Sequence, residues 1–387
     1  MKRLVLCFSI GLVLAILWLA GQSLIACPFC TMQGQTLVGE VNQASMVLFG
    51  NLKNAKLGNA DGTDGTTEFE VLSVIKDHPI RKQSKSLTLP RYVPPDKDGK
   101  YKFLLFCEVY KEKLDPYRGV AIPPDSDIVK YLQGALALKD QPVAKKLSFY
   151  FDYLENSDTE ISNDAYKEFG NAGYKEFADA AKSFSREKVL GWLNSSGTAN
   201  FKMGLYASIL GHCGKNEDAS VLRKMLDDPE KQTASGIDGV FAAYIMLDKL
   251  KGWEYLSSIL TNPKKEFLFR YAALRAIRFF LEFMPDLLPK KQLVDGIMIL
   301  LEQEDIADLA IEDLRKWQIW DQADKVLALQ EKDSYKKIPI VRKAVLRYAL
   351  SCKGSKAVDE FVKAQRMKDA QAVTDAEELL KLEQPSK

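Results

Sequence analysis

The segment FLFRYAALRAIRFFLEFM, residues 267–284, decides how the carboxyl half of this chain folds. Almost every position in it is apolar or aromatic, so a helix made from it must be covered over most of its circumference. Arg270 stands apart among its few polar residues. Arg275, Arg278 and Glu282 instead recur at the spacing that gathers side chains on one side of a helix. The segment therefore predicts a helix packed between neighbours, with one narrow polar stripe.

Similar helices recur on either side of this segment. Small residues mark the first helix of each unit, and the marker alanines lie 36, 30, 37 and 34 residues apart: Ala207, Ala243, Ala273, Ala310 and Ala344. A second amphipathic helix follows each marker, and intervals of this size are typical of repeats built from helical pairs. The pattern predicts an α-solenoid of HEAT type over residues 199–366, followed by a helix and tail at residues 367–387. An ordinary helical bundle without repeats is the alternative.

Two proline pairs, Asp228-Pro229 and Asn262-Pro263, separate neighbouring helices in this region. A side-chain oxygen followed by proline suits the first positions of a helix, because proline has no amide hydrogen to leave unpaired there. We expect both pairs to start helices.

Residues 27–125 are richer in strand signals than the rest of the chain. Apolar residues cluster in four short runs, separated by loops rich in glycine and proline: Ser45–Leu52, Glu68–Val74, Ser86–Leu89 and Lys102–Cys107. Short strands divided in this way predict a small β-barrel or sandwich. After Pro124 the pattern becomes helical, and residues 126–198 predict a connector that caps the open end of the solenoid. The predicted fold class is therefore α+β with several domains.

The amino terminus has the pattern of an export signal. Residues 1–3, MKR, are positively charged, and residues 4–20 form an apolar run of 17 residues. A helix of that length reaches about 25 Å, short of the roughly 30 Å apolar core of a bilayer. The sequence LIAC at residues 24–27 resembles a bacterial lipobox, so we expect residues 1–26 to be removed and Cys27 to carry a lipid. Plain secretion and an uncleaved anchor are the alternatives.

The mature chain starts with CPFC, residues 27–30, a pattern that also occurs in thiol–disulfide enzymes. In those enzymes a helix amino terminus lowers the pKa of the thiol, and a βαβ unit surrounds the motif. Here no strand precedes the motif, so a structural disulfide or lipid attachment is the preferred interpretation. A thiol–disulfide oxidoreductase that uses Cys27 and Cys30 is the alternative function. Without Cys7 of the leader, five cysteines remain, and this odd number implies one that is modified, free or paired outside the chain.

Part of the amino-terminal region resembles a known module. Cysteines at the mature amino terminus precede three segments similar to the netrin/tissue-inhibitor module, an OB-like barrel of extracellular proteins: ASMVLFGNL (residues 44–52), FEVLSVIKD (residues 69–77) and GKYKFLLF (residues 99–106). The resemblance covers about a quarter of the chain and implies that Cys27 or Cys30 is tied to Cys107. It also implies a role in engaging proteases and other proteins.

Several segments together resemble a family of exported bacterial proteins that combine an amino-terminal CPFC motif with a HEAT-like carboxyl half. The matching segments are CPFC (residues 27–30), LDPYRG (114–119), DAY (164–166), EF (168–169), LGHCG (210–214) and DLAIEDL (308–314). The resemblance spans most of the mature chain and implies export and a repeat fold. It implies no reaction and no catalytic residues.

Composition narrows the function classes. The chain has 54 basic residues, and removal of Lys2 and Arg3 with the leader leaves 52, against 52 acidic residues. A chain without net charge gives no electrostatic reason to expect nucleic-acid binding. His78 and His212 are the only histidines, and the sequence has no nucleophile elbow, phosphate-binding loop or HExxH helix. We therefore expect no catalytic, cofactor-binding or metal-binding residues.

These features predict an exported protein-interaction scaffold without catalytic activity, held in the bacterial cell envelope or periplasm. The amino terminus would tether the protein to the membrane. The helical array would present an extended surface to a partner protein of the envelope. The sequence gives no identity for that partner.

Overall fold

A computed structural model describes residues 28–30, 32–58, 65–94 and 100–383. Contacts between residues divide the chain into two units, Met1–Phe184 and Ser185–Lys387. The described part of the first unit combines a sheet with helices, and that of the second unit is helical, so the predicted α+β class is confirmed. The predicted leader and Cys27 lie outside the described residues.

Five antiparallel strands form an open sheet in the first unit, in the order β3-β2-β1-β4-β5. The strands are β1 Met46–Lys56, β2 Thr66–Lys76, β3 Ser86–Leu89, β4 Lys102–Tyr110 and β5 Lys113–Ile122. The first four correspond to the four predicted apolar runs. The fifth strand was not predicted.

Strand β5 contains Pro116 and Gly119, two residue types that weaken a strand prediction. Pro116 is tolerated because β5 lies at the edge of the sheet and pairs only with β4, so a missing amide hydrogen costs little. The turn before β5 is tight, and Lys111 and Glu112 have φ angles of 48° and 57°. Two-residue hairpin turns need this left-handed conformation, but asparagine or glycine usually provides it. The sequence therefore lacks the usual hairpin signal here.

Side chains from four strands pack together on one face of the sheet. The buried core of this face consists of Met46, Leu48, Phe69, Leu89, Leu105 and Cys107. The netrin resemblance implied a bond from Cys107 to Cys27 or Cys30. In the structure Cys107 is a free thiol whose side chain lies wholly inside this apolar core, and Cys27 lies outside the described residues, so a bond between the two stays a prediction. Burial raises the pKa of the thiol to about 12, which keeps it protonated and unreactive.

The described part of the first unit also contains five helices: α1 Leu37–Gln43, α2 Ile128–Ala137, α3 Val143–Phe151, α4 Thr159–Asn171 and α5 Tyr174–Ala181. Aromatic rings connect them: the ring centroids of Tyr131 and Tyr153 lie 4.9 Å apart, and those of Phe151 and Phe184 lie 4.4 Å apart. Helices α2 to α5 fall within residues 126–198, the segment predicted as a connector. The boundary between the two units divides that segment after Phe184.

Helices follow one another throughout the described part of the second unit. They are α6 Arg186–Asn194, α7 Met203–Cys213, α8 Ala219–Asp227, α9 Ile237–Leu247, α10 Lys249–Leu260, α11 Phe267–Phe283, α12 Lys290–Leu300, α13 Ala307–Lys316, α14 Ala323–Ala328, α15 Asp333–Lys336, α16 Pro339–Ser351, α17 Lys356–Lys368 and α18 Ala370–Leu382. Helix α9 packs against α7, α8, α10 and α11, and α13 packs against α16.

Helix α11 confirms the prediction made from its sequence. Its apolar residues are buried over most of its circumference, and Arg270 is buried among them. Arg275 and Arg278 are partly exposed and Glu282 is exposed, so these three residues form the predicted polar stripe.

Five polar links in the second unit join residues at similar intervals along the chain. The linked residues are 34 to 37 positions apart: Asp238–Arg275, Arg270–Asp305, Arg278–Asp313, Glu312–Arg347 and the Tyr335 hydroxyl with the Leu301 carbonyl. Three of these links run in order across α9, α11, α13 and α16, with nitrogen–oxygen distances of 2.8, 2.8 and 2.6 Å. Asp238 and Asp313 are buried, so their arginine partners compensate for the loss of water.

The two proline pairs do not start helices. Asp228 Oδ1 accepts a hydrogen bond from Glu230 N at 3.1 Å, and Asn262 Oδ1 accepts one from Lys264 N at 3.0 Å. This geometry, a side chain bonded to the amide two residues later, is an Asx turn, which Asp and Asn before proline also favour. The following helices begin later, at Ile237 and Phe267, so the expectation was wrong.

Candidate functional site

The chain is buried immediately after the CPFC motif begins. Phe29 is 2% exposed and Cys30 is 7% exposed, so the chain is already buried two residues after Cys27. The chain then enters α1, which packs against α2 and is bonded to the sheet. We call residues 28–43 the N-terminal anchor.

A carboxylate from helix α4 closes the amino terminus of α1. The first amide groups of a helix have no partner inside that helix. The carboxylate of Asp164 accepts hydrogen bonds from Leu37 N at 2.5 Å, from Val38 N at 3.4 Å and from the Tyr131 hydroxyl at 2.9 Å. Its negative charge also interacts favourably with the positive end of the α1 dipole. A buried acid 127 residues away thus holds the start of α1.

Burial sets the charge state of two acids on α4. It raises the pKa of Asp164, and the hydrogen bonds from α1 and Tyr131 oppose that rise. Glu168 lies one turn further along α4, and burial raises its pKa to about 7. The Thr36 hydroxyl donates to Glu168 at 2.5 Å and lowers this pKa, whereas the negative charge of Asp164 raises it. Glu168 therefore changes its charge near neutral pH.

A cation from strand β2 closes the opposite end of α1. Lys76 Nζ donates to the carbonyl oxygens of Val41 at 3.1 Å, Asn42 at 2.8 Å and Ala44 at 2.6 Å. Burial lowers the pKa of Lys76, but its positive charge favours the negative end of the helix dipole. Helix α1 has only seven residues, too few to be stable alone. Its position therefore depends on these two opposite charges.

Replacing Lys76 by methionine is expected to lower the unfolding free energy of the first unit by about 2 kcal/mol. Methionine keeps the apolar stem of the side chain but leaves three carbonyl oxygens without their donor. Lys113→Met, at an exposed position of β5, is the matched control. Urea unfolding followed by circular dichroism measures both variants, and equal stability losses would contradict the capping role of Lys76.

The end of α4 holds the chain upstream of α1. Asn171 Nδ2 donates to Gly34 O at 2.9 Å, and Gly34 N donates to Asn171 Oδ1 at 3.2 Å. Next to it, the absence of a side chain on Gly170 lets the backbone approach closely, since a β-carbon there would lie 2.6 Å from Met32 O. Helix α4 therefore contacts the N-terminal anchor along a line of four residues, Asp164, Glu168, Gly170 and Asn171.

Of the three predicted cysteine sites the structure describes Cys30 and Cys107, and no disulfide joins these two. Cys27 lies outside the described residues, so a lipid or a disulfide at this position stays a prediction. Cys30 lies beside α4, where a β-carbon on Gly170 would be 3.4 Å from Cys30 Cβ. Cys107 lies in the core of the sheet.

Asp164 and Glu168 lie in two of the segments that carry the family resemblance, but the sequence predicted no role for either residue. Their spacing of four residues places them on one side of α4, next to the buried Ile161, Ala165 and Phe169. An acid beside an apolar helix face is costly to bury unless it is hydrogen-bonded. This pattern is the signal that could have identified them as buried contact residues.

His212 and Cys213 lie in the last turn of α7. Across the residues described, no three His, Cys, Asp or Glu side chains are placed to share a metal ion. Among the described residues, no helix is both long and apolar enough to cross a bilayer. Comparison of the chain with protein-family models, with curated proteins and with solved structures gives no match.

Proposed function

We propose that this protein is an exported, membrane-tethered protein-interaction scaffold of the bacterial cell envelope, without catalytic activity. The observation that carries the proposal is the N-terminal anchor. Its chain is buried at Phe29 and Cys30 and again along α1, and α4 and β2 bind both ends of α1. A segment held this firmly transmits the position of the tether to the folded unit.

A lipid on Cys27 would place the first unit directly at the membrane surface. Two residues of extended chain span at most about 7 Å, and Phe29, two residues after Cys27, is already buried. The tether therefore lacks the flexible linker that would let the unit move away from the bilayer. Such an arrangement suits a protein that must act close to the membrane.

The helices of the second unit support a HEAT-like solenoid as the partner-binding element. The polar links between residues 34 to 37 positions apart follow the interval expected when one helical pair stacks on the next. Stacked pairs create an extended surface. On α11, Leu268 is 53% exposed and lines a recess of about 160 Å³ with Tyr271 and Arg275. We propose this recess as a point of contact with the partner.

The sheet of the first unit supports a partly open OB-like barrel. In the order β3-β2-β1-β4-β5, the two edge strands β3 and β5 would meet if the sheet closed on itself. Arg91, two residues after β3, already donates from its Nη2 to Pro116 O of β5 at 2.8 Å. This bond spans the gap between the edges, as expected for a barrel that is nearly closed.

The alternative, a thiol–disulfide oxidoreductase, would need Cys27 as the attacking sulfur. Exchange requires an accessible thiolate, and Cys30 is only 7% exposed beside the end of α4, so Cys30 would be the second cysteine of the pair. The surroundings of the motif count against this alternative, because the described chain after it leads into α1 and an antiparallel sheet and not into a βαβ unit.

Three measurements test the proposal. Cys27→Ala should move the protein from the membrane fraction to the soluble envelope fraction, and mass analysis of the wild-type amino terminus should show a lipid on Cys27. A photo-crosslinking residue at Leu268 should capture an envelope protein, whereas one at the exposed Lys291 of α12 should not. Unchanged membrane association of Cys27→Ala would reject the lipid tether. A reversible Cys27–Cys30 disulfide without lipid would favour the oxidoreductase.

A further inference from the structure

The last helices of the chain enclose a groove that the proposed function does not use. It has a volume of about 560 Å³, within the usual range for binding sites, and lies between the end of α16 and helix α17. Leu350, Val362 and Met367 form apolar parts of its lining, and Met367 is 75% exposed. Helix α17 buries only Val358 among its own residues. An apolar surface of this kind is therefore open at the carboxyl end of the unit.

Positive charge surrounds this groove. Lys353, Lys363 and Arg366 contribute to its lining, against one acidic residue, Asp359. Arg366 is paired with Glu377 of the same chain at 2.5 Å. Asp359 offsets one of the two lysines, so the lining keeps an excess of one positive charge and favours an apolar group flanked by a carboxylate.

Helix α18 carries such a group on its outer face. Val373 and Ala376 are its buried residues and pack against α16. Further along the helix, at the same three-residue spacing, Leu379 is 50% exposed and Leu382 is 81% exposed. Glu378 is also exposed and lies one turn before Leu382. The apolar stripe of α18 is therefore covered by its own chain at Val373 and Ala376 and left exposed towards the end of the helix.

We infer that the protein forms a homodimer in which α18 of each copy docks into the groove of the other. Leu379 and Leu382 would fill the apolar lining, and Glu378 would lie near Lys363 of the partner copy. The same surface then serves on both copies, as a twofold dimer requires. Burial of the two leucines provides the affinity, and the charges set the register. This inference is independent of the tether and of the envelope partner.

The mass of the full chain in detergent, measured by light scattering after gel filtration, tests the dimer. We expect twice the monomer mass for the wild type and a monomer for the double variant Leu379→Lys with Leu382→Lys. Both leucines are exposed, so circular dichroism should show unchanged folding. Lys291→Glu, an exposed charge reversal on α12, is the control and should remain dimeric. A monomeric wild type, or a double variant that stays dimeric, would overturn the inference.

Exchange of opposite charges tests the proposed pairing within that dimer. Lys363→Glu alone places two acids against each other at both contacts, and Glu378→Lys alone places two cations there. Each variant should dimerise at least tenfold more weakly than the wild type, a loss of roughly 1.4 kcal/mol or more. A mixture of the two should form heterodimers with nearly wild-type affinity, because opposite charges then meet at both contacts. A mixture that stays monomeric would refute this register.

Discussion

Replacing Asp164 by alanine is expected to lower the unfolding free energy of the first unit by about 4 kcal/mol. The carboxylate accepts hydrogen bonds from two backbone amides of α1 and from the Tyr131 hydroxyl, all in a buried region. Alanine leaves these donors without an acceptor and without water. It also removes the negative charge from the positive end of a seven-residue helix. The N-terminal anchor should then detach from α4.

The distribution of tryptophan gives this experiment an internal control. The four tryptophans at positions 192, 253, 317 and 320 belong to the second unit, and Trp18 belongs to the predicted leader. Tryptophan fluorescence during urea unfolding of the mature chain therefore reports on the second unit. Hydrogen exchange of residues 28–43 reports on the anchor. We expect faster exchange in the anchor with an unchanged fluorescence transition.

Two further variants isolate the role of the Asp164 carboxylate. Asp164→Asn keeps one acceptor oxygen and should lose less stability than the alanine variant. Asp179→Ala removes an exposed acid of α5 that is paired with Lys182, and should have little effect. If Asp164→Ala is no more damaging than Asp179→Ala, the buried contact does not hold α1.

The stability of the first unit should decrease as pH rises through neutrality, because of Glu168. Its pKa is about 7 in the folded unit against an ordinary value of 4.5. Both states hold the proton well below pH 4.5, and both have lost it well above pH 7. Between these values the unfolded chain releases the proton first, so the stabilising contribution of the buried neutral acid is lost as pH rises. The shift corresponds to about 3 kcal/mol.

Glu168→Gln tests this dependence, since glutamine does not titrate. Between pH 5 and pH 8 the wild type should lose about 2 to 3 kcal/mol more unfolding free energy than the variant. Hydrogen exchange of the anchor at the two pH values measures the difference. Asp164 is present in both proteins, so its own titration is common to both. Parallel pH profiles would show that Glu168 stays ionised in the folded unit.

The sequence predicted those parts of the fold that depend on local pattern. Helix α11 and the first four strands follow from the spacing or clustering of apolar residues, which requires no knowledge of distant contacts. Strand β5 was not predicted, because an edge strand tolerates Pro116 and because its hairpin turn is built from Lys111 and Glu112. The prediction that Asp228-Pro229 and Asn262-Pro263 start helices was wrong for a different reason. Helix caps and Asx turns use the same residues, and only the following backbone distinguishes them.

The candidate site depends on contacts between distant residues. Asp164 and Leu37 are 127 residues apart, and Lys76 reaches Ala44 from 32 residues away. Periodicity can show that Asp164 and Glu168 lie beside an apolar helix face, but it cannot show which amide groups they bind. The sequence identifies Cys27 and Cys30 as candidate site residues because their motif lies within four consecutive residues. The residues that hold this segment in place lack such a motif.

The support of α1 at both ends has a mechanical consequence for any protein tethered by residue 27. A pulling force applied there meets the buried Phe29 and Cys30 first and then the paired bonds between Gly34 and Asn171. It next meets the carboxylate at one end of α1 and the ammonium group at the other. The bonds at each attachment share the force, so the chain does not peel away one residue at a time. Such a junction resists pulling at residue 27 better than a short helix docked only by its apolar side.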